Sequence, residues 1–178
     1  MAHSYDDLDP ETQTALGLTR DDLLSKLGPR ATVYSSNEQM IQALADQIIA
    51  DYRTCLDAGR DQVAMIVPVG PVGQYQLIAN RCRAEEISLS RLTLFVMDEY
   101  LTDAGQWIPD DDPLSFRAHM QRNLLDLLPE GMRPDVIVPD PADPDSVGRE
   151  IHRLGGIDVT YAGVGITGHL AFNEPMPG

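Results

Sequence analysis

The chain has 178 residues, 43% of them hydrophobic, which suits one domain with its own core and excludes a disordered segment. Its formal charge of −15 repels phosphate backbones and anionic lipid, so neither nucleic acid nor membrane is an expected partner. Twelve of the thirteen basic residues are arginines, so an anionic ligand would need a local pocket of Arg, helix N-termini or backbone N–H groups.

Residues 1–30 form an acidic extension with little periodicity and one expected helix over Asp21–Leu27. "ATVYSS" (31–36) reads as a short strand. The clearest helix follows at 35–59, opened by a Ser35/Glu38 capping box. Its apolar face is Ile41, Leu44, Ala45, Ile48, Tyr52 and Cys55, and Gly59 is placed to end it. "VAMIVPV" (63–69) is a continuous apolar run, the pattern of a strand covered on both faces. A glycine turn leads into a helix over Gln74–Glu85, and "RLTLFVM" (91–97) is the next strand. A helix over 111–129 carries Phe116, Met120, Leu124 and Leu127 along one side. "DVIVP" (135–139), a helix over 143–155 and "IDVTYAGVG" (157–165) complete the pattern. Strands alternating with helices of this length predict an α/β fold with a mostly parallel sheet. In such sheets ligands bind beyond the carboxyl ends of the strands, where "VGPVGQY", "MDEY" and "GVGITGHLAF" fall.

Cys55 and Cys82 have no metal or redox spacing and read as two buried thiols in a reducing compartment. The first residues show no basic and then apolar leader pattern, and no apolar run reaches membrane-spanning length. A soluble, cytoplasmic protein is expected.

Gly163, Gly165 and Gly168 have the G-x-G-x-x-G spacing of a dinucleotide-binding turn. That reading also needs a helix directly after the glycines and an acidic residue about 20 positions on. Pro175 breaks the segment at once, and the acidic position would fall past Gly178, so nicotinamide and flavin are not expected. His169 and Glu174 follow the glycines. Asp98 follows an apolar strand, which puts its carboxylate at the same sheet edge as the His169 loop. A carboxylate and an imidazole converging there can abstract and return protons. Taken singly, His169 reads rather as a packed histidine and Asp98-Glu99 as a helix cap or solvated turn; together they read as a site.

"FVMDEY", "GVGITGHLAFNEP", "GGID" (155–158) and "DDPLSFRAHM" closely resemble the glucosamine-6-phosphate deaminase/isomerase family, over roughly residues 31–178. The related 6-phosphogluconolactonases carry the Gly-His pair without the F-N-E-P continuation. The resemblance implies a Rossmann-like three-layer α/β/α sandwich over 31–178, without a bound nucleotide and without the C-terminal part of the family fold. It implies conversion of an amino-sugar phosphate to the ketose phosphate with release of ammonia, no cofactor, no metal, and a homo-oligomer. Carried over by position, Asp98 matches the base for the C2 proton, His169 the ring-opening imidazole, and Glu174 the carboxylate that orients it. The expected substrate-binding positions are Gly70, Val72, Gly165, Thr167 and Gly168. Two departures stand out. Thr167 replaces a residue that is usually acidic. The phosphate loop, normally rich in Gly, Ser and Thr, reads Val69-Gly70-Pro71-Val72-Gly73. The partner would be a small-molecule sugar or sugar phosphate. The alternatives are an isomerase or lactonase acting on an unphosphorylated sugar, and a non-catalytic sugar-effector-binding module of the same fold.

Overall fold

The structure, a computed structural model, describes residues 8–164 and 169. The chain divides into two units, Met1–Ser36 and Asn37–Gly178.

The first unit holds two short helices where the sequence suggested one. Helix α1 spans Pro10–Leu16. Asp9 caps it by accepting the N–H groups of Glu11 and Thr12 at 3.0 and 2.9 Å, and Pro10 occupies a first-turn position that needs no donor. Helix α2 spans Arg20–Leu27, with a capping box between Thr19 and Asp22. Neither helix has a buried residue, so local capping, not an apolar face, defines them. The predicted strand over 31–36 does not form. Val33 and Tyr34 are 54% and 40% exposed, and a β-prone sequence without a partner strand or a surface to cover gains nothing from extending.

The second unit is an α/β fold around a four-stranded sheet in the order β3-β2-β1-β4. Strand β1 is Val63–Val67, β2 is Leu92–Val96, β3 is Asp135–Ile137 and β4 is Val159–Thr160. All three pairings are parallel. Helix α3 (Asn37–Asp57) precedes β1, and its buried stripe of Ile41, Ala45, Ile48, Ile49 and Tyr52 packs into the core. It ends in a left-handed glycine cap. Gly59 has φ +91°, its N–H reaches Leu56 O at 2.9 Å, and Arg60 N–H reaches Cys55 O at 3.1 Å. Helix α4 spans Gln74–Ala84 and α6 spans Ser146–Arg153. Cys82 is buried and Cys55 half-buried, and both are free thiols.

The two central strands are dry. Leu92, Leu94 and Val96 of β2 and Val63, Met65 and Val67 of β1 point into one apolar cluster with α3 and α4. On the opposite face Ala64, Thr93 and Phe95 are buried as well. This double burial is what the continuous apolar runs encode.

Helix α5 (Phe116–Met120) passes into a π-turn over Gln121–Leu125, closed by Asp126 N–H on Gln121 O at 2.9 Å. Met120, Leu124 and Leu128 are buried, and Leu127 is partly buried against the same core.

Among the described residues no helix is long and apolar enough to cross a membrane.

The short edge strand β4 is held to β1 by backbone bonds, Asp158 N–H to Ala64 O at 2.8 Å and Tyr161 N–H to Ile66 O at 2.9 Å, and by one side chain. Asp158 accepts the Ala64 N–H at 2.9 Å and pairs with Arg60 Nε at 2.8 Å. Asp158→Ala therefore leaves a donor on the fully buried Ala64 without its partner, which costs about 1–3 kcal/mol. Urea unfolding is expected to show that loss. Asp158→Asn, which keeps an acceptor oxygen, is expected to lose less.

Candidate active site

Four segments meet beyond the carboxyl ends of the strands: Pro68–Gly73 after β1, Met97–Glu99 after β2, the residues leading to Val164 after β4, and His169. Sheet order explains the meeting. Strands β1, β2 and β3 step in one direction, and β4 then crosses back to the other side of β1. The reversal leaves an opening beside the end of β1, the place where open α/β sheets hold ligands.

A cleft of about 430 Å³ occupies that opening. Pro68, Val69, Gly70 and Pro71 form one wall, Met97 and Asp98 another, and Gly163, Val164 and His169 a third, with Met40 of α3 and Phe116 of α5 also lining it. Among these described residues Asp98 and His169 are the ones with ionisable side chains, and no Lys or Arg is present.

The wall after β1 is held down from beneath. Gln74 Nε2 donates to Val69 O at 2.9 Å, and Tyr75 hydroxyl donates to Pro68 O at 2.7 Å. Both side chains are buried. Gly73, which caps α4, sits at φ +121°, and a Cβ there would meet Ile41 Cγ2 at 3.5 Å. The loop thus lies low over α3 and leaves room above it.

Asp98 and Glu99, adjacent in sequence, do different work. Asp98 is half-buried and lines the cleft. Burial lifts its pKa above the ordinary aspartate value, the negative charge of Glu99 adds to the rise, and His169 pulls the other way. Glu99 instead reaches the start of α5. Its Oε1 accepts the N–H groups of Tyr100 and Phe116 at 2.9 and 3.0 Å, and its Oε2 accepts Arg117 N–H at 2.7 Å and the Ser115 hydroxyl at 3.4 Å. The helix-cap reading of this acidic pair holds for Glu99, and Asp98 faces the cleft.

Asp98, His169 and Gly70 are therefore brought to one cleft. Val72 lies outside its lining and is 69% exposed. Gly165, Thr167, Gly168 and Glu174 lie outside the described residues.

No protein-family model matches the chain. A glucosamine-6-phosphate deaminase of Porphyromonas gingivalis is 31% identical over 142 residues, covering 74% of this chain and 51% of the relative. The glucosamine-6-phosphate deaminase of Hahella chejuensis is 31% identical over 150 residues, covering 82% of this chain and 54% of the relative. The chain belongs to the glucosamine-6-phosphate deaminase/isomerase family. It spans about half the length of the curated relatives it matches. Among solved structures, the 6-phosphogluconolactonase of Thermotoga maritima superposes with TM-score 0.57 at 20% identity, over 75% of this chain and 59% of that one. A monomeric glucosamine-6-phosphate deaminase superposes with TM-score 0.53 at 21% identity, over 78% of this chain and 56% of that one. These structures share its fold.

In this family member the groups that sequence reasoning missed are supports. Gln74 and Tyr75 read as helix residues because their partners are backbone carbonyls, which leave no trace in side-chain pattern. Glu99 binds groups 16 to 18 positions away, beyond any local signature.

A raised carboxyl pKa is also a statement about stability. Protonated Asp98 is tolerated by the fold and ionised Asp98 is disfavoured, so its favourable contribution is present below the ordinary value of 3.8 and is lost as pH rises through the raised folded value. Asp98→Asn removes that penalty. At pH 7 the variant is expected to unfold at higher urea concentration than the parent, and the difference should vanish as pH falls toward 4. A variant less stable at pH 7 would show that ionised Asp98 is held by attractive contacts.

Proposed function

We propose that the protein is an amino-sugar-phosphate deaminase/isomerase, converting glucosamine 6-phosphate and water to fructose 6-phosphate and ammonia, or carrying out a close variant. The observation that carries the reading is a half-buried Asp98, its proton affinity raised by burial, facing the same cleft as His169 at the switch point of the sheet. The relatives' names supply the substrate class.

The steps assign one task to each group. His169 moves a proton between the ring oxygen and the C1 hydroxyl so that the pyranose opens. Glu174 orients that imidazole and supports its charged form, with Thr167 in the place of a second carboxylate. Asp98 takes the C2 proton of the open chain, giving an enol-type intermediate, and the proton is returned at C1. Water then displaces nitrogen from C2 as ammonia. An aspartate whose proton affinity is raised in a partly dry site suits the second step, because general bases work best with a pKa near the working pH. Gly70, Gly165 and Gly168 let backbone approach the sugar closely. We place the protein in the cytoplasm as a homo-oligomer that needs neither metal nor organic cofactor.

A second reading, action on an unphosphorylated sugar, is favoured by the wall after β1. Val69 supplies no hydroxyl, Pro71 supplies no N–H, and the described lining has no Lys or Arg.

The decisive assay measures ammonia release from a panel of amino sugars with and without the 6-phosphate. Release supports the deaminase reading, ketose formation without ammonia supports an isomerase, and tight binding without turnover supports a sugar-binding module. Asp98→Asn is expected to lower kcat by about 10²–10⁴-fold with sugar binding nearly intact. Retention of most of kcat would remove Asp98 from the mechanism.

The loop generates a separate expectation. Each hydrogen bond to a charged group contributes about 1.5–3 kcal/mol, so losing two or three donors removes much of the grip on phosphate. The kcat/KM ratio of phosphorylated to free amino sugar is expected to stay below about 100-fold. Replacing Pro71 by Gly, which restores an N–H donor in the wall of the cleft, should widen it. A preference of many thousandfold in the unaltered protein would mean that the phosphate is gripped elsewhere.

A further inference from the structure

The carboxylate of Glu99 has no place in the chemistry above, yet it is among the most thoroughly bonded side chains near the cleft. It closes the excursion from Tyr100 to Leu114 by tying the exit of β2 to the start of α5. Four donors converge on its two oxygens: the N–H groups of Tyr100, Phe116 and Arg117, and the hydroxyl of Ser115. Ser115 in turn accepts the Ala118 N–H at 3.2 Å. The first three N–H groups of α5, on Phe116, Arg117 and Ala118, are thus taken up by Glu99 and Ser115 together. A negative charge is favourable at that end of a helix. Phe116, whose N–H Glu99 holds, also lines the cleft, so one carboxylate fixes both the Asp98 turn and the facing aromatic ring.

We propose that Glu99 is the positioning residue of Asp98: its bonds to the start of α5 set the direction of the Asp98 carboxylate into the cleft, and its charge stands behind that carboxylate. The proposal rests on the reading of Asp98 as the C2 base. A base must lie within hydrogen-bond reach of its proton, and a misplacement of about 1 Å can cost 10²-fold in rate. The backbone turn at 98–99 is anchored on one side by β2, where Met97 N–H donates to Val67 O at 3.0 Å, and on the other by Glu99. Removing the second anchor leaves Asp98 on a hinge.

Among the described residues the charged groups around the pair are few. Glu99 and His169 act on Asp98. Around Glu99 stand Asp140, which borders the same surface hollow, and Arg117, whose guanidinium is engaged with Asp110 and with Ile108 O. Replacing Glu99 by Gln keeps the shape but turns an amide NH₂ toward backbone donors and removes the charge behind Asp98. Replacing it by Asp keeps the charge and shortens the reach.

The experiment compares Glu99→Gln and Glu99→Asp with the parent by kcat, KM and the pH dependence of kcat/KM. In parallel, 13C NMR follows the titration of the Asp98 carboxyl. Glu99→Gln is expected to lower kcat by about 10–100-fold with KM changed less than about threefold. Its acid limb and its Asp98 titration should both move to lower pH, because the neighbouring negative charge that raises the Asp98 pKa is gone. Glu99→Asp is expected to lower kcat while leaving the acid limb in place, and it serves alone if the glutamine variant does not fold. A folded Glu99→Gln with kcat within twofold of the parent, or Glu99→Asp with unchanged kcat, overturns the proposal. If Asp98→Asn retains most of the parent's kcat, or the parent turns over no sugar, the reading of Asp98 as base fails separately. The NMR titration then still decides whether Glu99 acts on Asp98: a downward shift in Glu99→Gln supports it and an unmoved titration overturns it.

Discussion

Burial of the two central strands on both faces governs where this chain can keep a charge. From Val63 to Val67 and from Leu92 to Val96 nearly every side chain is out of water. An ionised group within either strand would be desolvated without compensation. Asp98 is the first carboxylate after β2, and there it is only half released from the interior. The raised proton affinity of Asp98 is therefore a consequence of the same burial that stabilises the sheet. A more exposed aspartate would be an easier residue for the fold to carry and a weaker base for a carbon acid.

Parallel pairing then decides which groups can meet. Adjacent strands lie about 4.8 Å apart, so the exits of β2 and β4, which flank β1, are separated by roughly 10 Å. Asp98 and the segment bearing His169 approach each other across the exit of β1, and whatever that loop puts between them limits the space. Its composition fits the demand: Gly70 has no side chain, Val69 is folded inward, and Gln74 and Tyr75 pull the carbonyls of residues 69 and 68 downward. The low wall after β1 is as much a part of the site as the two ionisable groups.

Much of this was readable from residue pattern, and the failures share a cause. Apolar runs announced β1 and β2 because double burial leaves no room for alternation. The apolar spacing of α3 announced a long helix, since that signal lies within the segment itself. The run at 31–36 has the same β-prone residues, but a strand is defined by its neighbour, and no neighbour is written in the segment. The π-turn at Gln121–Leu125 is a matter of one hydrogen-bond register, invisible to a period of 3.6. That Asp98 and His169 line one cleft was recoverable because strand exits can be located from the runs that precede them. Glu99 was not separable from Asp98: adjacent carboxylates have identical sequence context, and only the return of the chain at Ser115–Arg117 distinguishes them.

The charge of the chain bears on the kind of sugar the cleft can favour. A formal −15 sets a negative background field, but at physiological salt that field fades over about 8 Å, so attraction of a phosphate is decided inside the cleft. There the described walls are apolar apart from Asp98 and His169. Asp98 beside Glu99 makes the β2 side of the cleft repel a second anion. A bound sugar phosphate would therefore be expected to turn its phosphate away from β2, toward the side of the cleft that leads from β4. The proposed proton abstraction would make the complementary demand, since C2 would then have to face Asp98. The two demands are compatible in a six-carbon chain laid across the end of β1, with C2 over the β2 exit and C6 at the far side. The orientation that suits proton abstraction is thus also the one that electrostatics favours, and it follows from the position of one acidic pair at the end of a buried strand.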